Sequence, residues 1–280
     1  MSGTLYIIGT PIGNMEDITL RQLRMLEEVD FICAEDTRVT LKLLNRYEIK
    51  KQLVSFHEHS TAAEAEQIIG RLISGENCGV VTDAGMPCIS DPGEVLVKLC
   101  AEKGIDVKVV PGPSAVVSAV ALSAMGAKRF MFEGFLPVPK KERAERLELL
   151  RGETGLMVFY EAPHKLVSTL EDMMEVFGGS RKISLCRELT KLNEDIMRTT
   201  LQNANEYYKQ NSPRGEYVLV VEGTEEAGCI ATVENELLSL TPREHVEKYI
   251  ADGMSKMDAI KKTAKDRGVP KSEIYDLMID

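Results

Sequence analysis

Short apolar runs alternate along the chain with longer stretches in which apolar residues recur every three or four positions. Leu5-Tyr6-Ile7-Ile8, Phe31-Ile32-Cys33-Ala34, Leu53-Val54-Ser55-Phe56, Gly79-Val80-Val81 and Val107-Lys108-Val109-Val110 read as strands. Leu20, Leu23, Leu26 and Val29 predict one face of a helix, and a second helix is expected at about 61–74. A third is expected from Asp91, with Pro92 in the first turn and Glu94 three residues past the cap. This rhythm predicts an α/β domain whose mostly parallel sheet is covered on both faces. A second series of strands follows at 130–133, 156–160, 183–186, 197–200 and 217–221, with two clear helices between them, near 140–151 and 164–176. The later strands crowd together, so a mixed sheet is expected. Thr241-Pro242-Arg243-Glu244 is a capping box that opens three short helices. The expected division is residues 1–115, a mostly parallel α/β domain; 116–225, a second α/β domain; and 226–280, an acidic linker with a three-helix, helix-turn-helix-like module.

Polar and turn chemistry gathers where these strands end: Gly9-Thr10-Pro11, Glu35-Asp36-Thr37-Arg38, His57-Glu58-His59, Thr82-Asp83-Ala84-Gly85 and Pro111-Gly112-Pro113-Ser114. Open α/β sheets bind ligands at the carboxyl ends of their strands, which points to a functional rim at one edge. The stretch from Thr82 to Gly93, rich in Gly, Pro, Asp and Ser, suits close backbone approach to a small molecule; an ordinary βα turn has the same composition.

The 280 residues carry a formal charge of −10, so RNA binding requires a local patch. The best candidate track is 128–151, with seven Lys/Arg against four Asp/Glu; a solvated helix face has the same look. Six cysteines without a C-x-x-C pair suggest neither a zinc site nor a disulfide framework. No apolar run spans a membrane and the N-terminus has no leader pattern, so a cytoplasmic protein is expected. Neither G-x-G-x-x-G, nor a P-loop, nor G-x-S-x-G is present. His57 and His59 with Glu58 lack a third metal ligand, and no metal site is assigned. Glu161-Ala162-Pro163-His164-Lys165 fits acid–base chemistry at a strand end or a plain helix start. Arg187-Glu188-Leu189-Thr190-Lys191 fits phosphate contact or solvated charge.

Eight ordered strings resemble one family. They are Gly9-Thr10-Pro11-Ile12-Gly13-Asn14, Ala34-Glu35-Asp36-Thr37-Arg38, Asp83-Ala84-Gly85-Met86-Pro87, Ile89-Ser90-Asp91-Pro92-Gly93, Pro111-Gly112-Pro113-Ser114-Ala115, Phe132-Glu133-Gly134-Phe135-Leu136-Pro137, Tyr160-Glu161-Ala162-Pro163-His164 and Arg187-Glu188-Leu189-Thr190-Lys191. The chain is similar to small-subunit ribosomal RNA cytidine 2′-O-ribose methyltransferases of the tetrapyrrole methylase superfamily. That resemblance implies two α/β domains with S-adenosylmethionine in the cleft between them, a homodimer, and ribosomal RNA as partner; the charge of −10 points to RNA read by shape in an assembled small subunit. It implies cofactor contacts from Pro11, Asp83, Gly85, Met86, Ser114, Ala115, Tyr160 and Leu189. Substrate contacts are expected from Glu35, Arg38, His164, Arg187 and Lys191, and the base is left open among Glu188, Glu161 and Asp36. Met86 stands where the family usually has Thr, and Cys88 where it usually has Gly. The rival readings are a methylase of a tetrapyrrole precursor and a non-catalytic RNA-binding or ribosome-assembly protein on the same fold.

Overall fold

In the computed structural model, which describes residues 2–89, 93–224, 240–251 and 253–278, strand β1 (Thr4–Ile8) organises the first sheet. Its alternation turns Leu5 and Ile7 to one face and Ile8 to the other. It pairs in parallel with β4 (Cys78–Val81) and β5 (Asp106–Val110). With β2 (Phe31–Ala34) and β3 (Gln52–Ser55) the order is β3-β2-β4-β1-β5, all parallel. Helices α3 (Ala62–Ile73) and α4 (Gly93–Lys103) cover one face through Ile68, Ile69, Leu72, Leu96 and Cys100. Helices α1 (Leu20–Glu28) and α2 (Thr37–Arg46) cover the other through Met25, Leu26, Leu43 and Leu44. Residues 90–92, and with them the expected cap Asp91, lie outside the described residues.

The expected face of α1 is corrected. Leu20 is 87% exposed, and Gln22, Met25, Leu26 and Val29 are the buried residues. Positions 22, 25, 26 and 29 follow the i, i+3, i+4, i+7 stripe, whereas 20, 23 and 26 drift around the helix. Gln22 tolerates burial because its Oε1 accepts the Thr19 N–H (2.5 Å) and its Nε2 donates to the Gly9 carbonyl (2.5 Å).

Helix α5 (Ala115–Leu122) leaves the first sheet and packs on the second, where Ala115, Val116, Ala119 and Val120 meet Val158, Cys186, Val218 and Val220. That sheet runs β6 (Phe130–Phe135), β7 (Leu156–Glu161), β10 (Tyr217–Val221), β8 (Lys182–Arg187), β9 (Asp195–Thr200); β6 and β7 are parallel and the other pairs antiparallel, the mixed sheet expected. Three helices serve it: α6 (Lys140–Leu150), α7 (Leu166–Phe177) and α8 (Leu201–Gln210). α7 begins at Leu166; Pro163 belongs to a turn before it, closed by Lys165 N–H to the Ala162 carbonyl (3.0 Å).

The basic stretch at 128–151 is less of a track than its composition suggests. Arg143, 10% exposed at its side chain, donates Nε to Asp172 at 2.6 Å, and Arg146 grips Glu133 through two hydrogen bonds. Both cations are paired within the fold, Arg143 buried and Arg146 half-exposed.

The chain divides into two compact units, one of residues 1–148 with 155–222 and one of 149–154 with 223–280. In the second, α9 (Pro242–Ala251), α10 (Lys256–Arg267) and α11 (Lys271–Asp276) enclose Val246, Tyr249, Ala259, Ile260, Ala264 and Ile274. Gly268, at φ 64°, closes α10 in the left-handed conformation, and three residues lead into α11. Most of the expected acidic linker, residues 225–239, lies outside the described residues.

Candidate active site

The loops after β1 and β4 are stapled together. Thr10 N–H donates to the Gly85 carbonyl (2.9 Å) and Gly85 N–H to the Thr10 carbonyl (3.2 Å), while the buried Thr10 hydroxyl reaches the Thr82 carbonyl (3.1 Å). Thr82 donates its hydroxyl to Glu35 (2.5 Å), tying the loop after β2 to the same rim. The next loop joins through Met86, whose Sδ accepts the Gly112 N–H at 3.2 Å. Ser114 caps α5 by accepting the Val117 N–H, so this residue ends one strand loop and starts the helix that crosses to the second sheet.

The facing wall comes from the second sheet. Tyr160, at the end of β7, is flanked by Phe132 and Phe135 with ring centroids 4.9 and 5.6 Å away, and burial pushes its phenol up. Glu161 is buried; its Oε2 accepts the Thr169 hydroxyl (2.5 Å) and its Oε1 the Ala162 N–H (2.8 Å). After β8 the chain takes two left-handed residues, Glu188 (φ 53°) and Thr190 (φ 64°), around the buried Leu189. This geometry brings Lys191 Nζ back to Glu188 Oε1 (2.9 Å) and Glu216 Oε2 (2.7 Å). The Glu216 N–H also donates to Glu188 Oε1 (2.9 Å), and with Lys191 it holds the Glu188 carboxyl below its ordinary value. Burial works against the charge of Lys191, but Glu216 and Glu188 raise it net above its ordinary value.

Between the walls lies a cleft of about 690 Å³. Of the residues the sequence suggests, it is lined by Glu35, Gly85, Met86, Ser114, Ala115, Tyr160, Glu161, His164, Glu188, Leu189 and Lys191. Pro11, Asp36, Arg38, Asp83 and Arg187 are not on its wall. Pro11 precedes Ile12, which is. Asp36 caps α2 and pairs with Arg38 (2.6 Å), whose guanidinium brings its carboxyl down to about 2. Asp83 accepts the Asp36 N–H (3.1 Å), and burial raises its carboxyl. Arg187 faces Asp195 at 3.6 Å. The cleft also uses Ile12, Thr82, Phe132, Glu133, Phe135 and Glu216, to which no role could be given beforehand. Ile12 and Phe132 to Phe135 lie inside strings quoted above; Glu216 carried no sequence signal.

The wall carries five glutamates, at 35, 133, 161, 188 and 216, and one lysine. Among the described residues no three His, Cys, Asp or Glu side chains are placed to hold a metal, and no helix is long and apolar enough to cross a membrane.

The family model for Tetrapyrrole (Corrin/Porphyrin) Methylases matches residues 4–205. The chain belongs to the tetrapyrrole methylase family. A relative from Halalkalibacterium halodurans, named Ribosomal RNA small subunit methyltransferase I, is 46% identical over 98% of this chain and 94% of its own length. A protein of the same name from Bacillus subtilis is 44% identical over 98% of this chain and 93% of its own length. Among solved structures, a cobalt precorrin-4 methyltransferase covers 78% of this chain and 94% of its own, with TM-score 0.57 and 19% identity. A uroporphyrin-III C-methyltransferase from Thermus thermophilus, complexed with S-adenosylhomocysteine, covers 79% and 97%, with TM-score 0.55 and 15% identity. These tetrapyrrole methylases share the fold with this chain.

Proposed function

We propose that this methylase transfers the methyl group of S-adenosylmethionine to the ribose 2′-hydroxyl of a cytidine in small-subunit ribosomal RNA. The observation that carries the reading is the cleft itself, where the strand-end loops of the parallel sheet face Tyr160 and the Glu188–Lys191 loop across one cavity. The name borne by relatives that align along nearly the whole chain supports RNA over a tetrapyrrole as acceptor.

The cleft fits this methyl donor, which carries its reactive methyl on a positively charged sulfur. Its five glutamates outnumber the two cations paired with them, Lys191 with Glu188 and Glu216 and Arg146 with Glu133, and the remaining negative charge favours a cation. Gly85, Met86, Ser114 and Ala115 would hold it from one side, Tyr160 and Leu189 from the other. Pro11 and Asp83 support from behind, Pro11 by setting Ile12 and Asp83 by fixing the Asp36 N–H. The donor is already activated, so aligning the hydroxyl with the methyl supplies most of the rate.

Among the candidate bases, Glu161 has both oxygens committed to Thr169 and Ala162, and Asp36 is committed to Arg38. On Glu188 both contacts fall on Oε1. We assign Oε2 of Glu188 to accept the hydrogen bond of the ribose hydroxyl, orienting it and taking its proton as charge leaves the oxygen. Lys191 positions Glu188 rather than a phosphate. Arg38, exposed at 86% of its side chain, His164 and Arg187 are left for the RNA backbone, with Glu35 setting Thr82.

The overall charge of −10 favours an assembled small subunit, read by shape, over naked RNA. We assign a second copy of the chain to the side of the edge strand β5, where Val109 is an exposed apolar residue, as are Leu20 on α1 and Val117 on α5. The reaction is placed in the cytoplasm, where the substrate is built. Mapping 2′-O-methyl groups on ribosomal RNA from cells with and without the protein tests the reading: one cytidine loses its methyl when the protein is absent, and an unchanged map overturns it.

A further inference from the structure

A second, shallower hollow of about 380 Å³ lies beside the cleft and shares Ile12 with it as a common wall. It is lined by Asp17, Thr19, Pro111, Pro113, Ser118 and Thr190, among others. Two of its lining residues each carry a side-chain oxygen, Asp17 Oδ2 and Thr190 Oγ1, that is closed to solvent and has no hydrogen-bond partner among the described residues, so a turn of either side chain towards the hollow would cost no existing bond of that oxygen. Its other threonine is committed, since Thr19 Oγ1 accepts the Gln22 N–H. Thr190 is also a β-branched residue at φ 64°, a conformation that surrounding structure must enforce. Its N–H is pinned to Glu194 (2.6 Å), and Gly13 packs so closely that a Cβ there would meet Thr190 Oγ1 at 2.9 Å. The fold therefore holds a strained residue with an unsatisfied hydroxyl, and a residue with an unsatisfied carboxylate oxygen, on the lining of the same hollow.

A carboxylate oxygen accepts and never donates while ionised, so the complement of Asp17 is an N–H group. A phosphate is repelled. Prolines 111 and 113 and Ile12 offer apolar surface to a flat ring, and the volume falls in the range of small-ligand pockets. The exocyclic amine of cytosine or adenine donates to a carboxylate, whereas uracil presents a carbonyl at the same place. We propose that this hollow takes the amino-bearing edge of an unpaired nucleobase of the RNA substrate, with Asp17 accepting the amine and the Thr190 hydroxyl bonding the adjoining ring edge. The shared wall at Ile12 lets one nucleotide put its base in the hollow and its ribose in the cleft. The inference rests on the proposed RNA reaction and makes Asp17 and Thr190 the residues that choose the base.

The test measures methyl transfer by the full chain to unmethylated small subunits, carrying cytidine, adenosine or uridine at the nucleotide located by the mapping experiment. Binding of S-adenosylmethionine is followed by calorimetry in parallel. The wild type should use cytidine at least about ten-fold better than uridine in kcat/KM. Asp17→Asn and Thr190→Val should each raise KM for the cytidine particle by roughly ten-fold, collapse the preference over uridine, and leave cofactor affinity within about two-fold. Thr190→Ser, which keeps the hydroxyl, should behave as wild type. Adenosine used in an Asp17-dependent way assigns recognition to the amine alone; adenosine rejected assigns it to the whole cytosine edge. If Asp17→Asn loses the cofactor, the Thr190 pair decides. Unchanged KM and base preference in the variants overturn the inference while the reaction stands; no transfer by the wild type overturns both.

Discussion

The thioether of Met86 is a hydrogen-bond acceptor, taking the Gly112 N–H at 3.2 Å where the loops after β4 and β5 meet. A leucine of similar volume keeps the packing and removes the acceptor. Met86→Leu should therefore cost about 1 kcal/mol, a melting shift of about 2–4 °C. Because Met86 also lines the cleft, affinity for S-adenosylmethionine should fall several-fold. Scanning calorimetry and a binding titration read the two effects; a variant indistinguishable in both would show that the sulfur contact contributes nothing.

Glu188 owes its position to a missing side chain. Gly215, at φ 79°, lies so close that a Cβ would sit 2.5 Å from Glu188 Cγ. Gly215→Ala should push the carboxylate aside and lower single-turnover transfer, and Glu188→Gln should lower it by about 10²-fold, with cofactor affinity retained in both. Since Glu188 is held below its ordinary value by the Glu216 N–H and Lys191, it is ionised throughout the neutral region. The wild-type rate should therefore show no carboxylate inflection between about pH 5 and 8.

The buried ion pair of Arg143 and Asp172 is a point of fragility. Arg143→Leu leaves the buried Asp172 carboxylate with only the longer contact to Lys140 (3.7 Å) and should destabilise the first unit, by less than the ~3–5 kcal/mol of a fully unpaired buried charge. The double change Arg143→Leu with Asp172→Leu should recover most of that loss. Urea melts of the two variants and the wild type check the ordering.

Cys88 has φ 68°, in the left-handed region. Cys88→Gly should be more stable than Cys88→Ala by about 1 kcal/mol, because both remove the sulfur and only glycine relieves the backbone. Equal melting temperatures would place the strain elsewhere.

His245 in the C-terminal module is fully buried, and its Nδ1 accepts the Arg267 Nε–H at 3.1 Å. Burial first, then the Arg267 charge, lowers its pKa from 6.5, while Asp266 pulls the other way. A histidine whose folded value is depressed stabilises the fold above the unfolded value and loses that contribution as pH falls. The module should thus be fully stable above about pH 6.5 and soften below it, with smaller amide protection factors in α9 and α10, each rate being compared with the intrinsic rate at the same pH, at about pH 5 than at pH 7.5. His245→Gln should flatten that pH dependence.

The parallel sheet was readable because each strand ends in turn residues and each buried strand is a short apolar run. Helices α2 and α8 were not, for different reasons. α2 buries Thr40 with Leu43 and Leu44, so its inner face is part polar; α8 buries Asn205 beside Leu201, Ala204 and Tyr208. The rim of the cleft was legible from strand ends, but the states of its carboxylates were not. Whether Glu161, Asp36 or Glu188 keeps an oxygen free depends on Thr169, Arg38 and Lys191 folding back onto them, a matter of loop geometry. The left-handed turn at Glu188 and Thr190 has no glycine to announce it.

Gly13 fits beneath the loop after β8 with no room to spare, a Cβ there reaching within 2.6 Å of Lys191 Cγ. The loop after β1 and the loop after β8 thus approach as closely as a glycine allows, a second meeting of the two sheets besides α5. Any side chain at position 13 would have to push the Lys191 stem and the Thr190 hydroxyl away, so Gly13→Ala should widen the cleft at Glu188 and slow transfer more than it weakens cofactor binding.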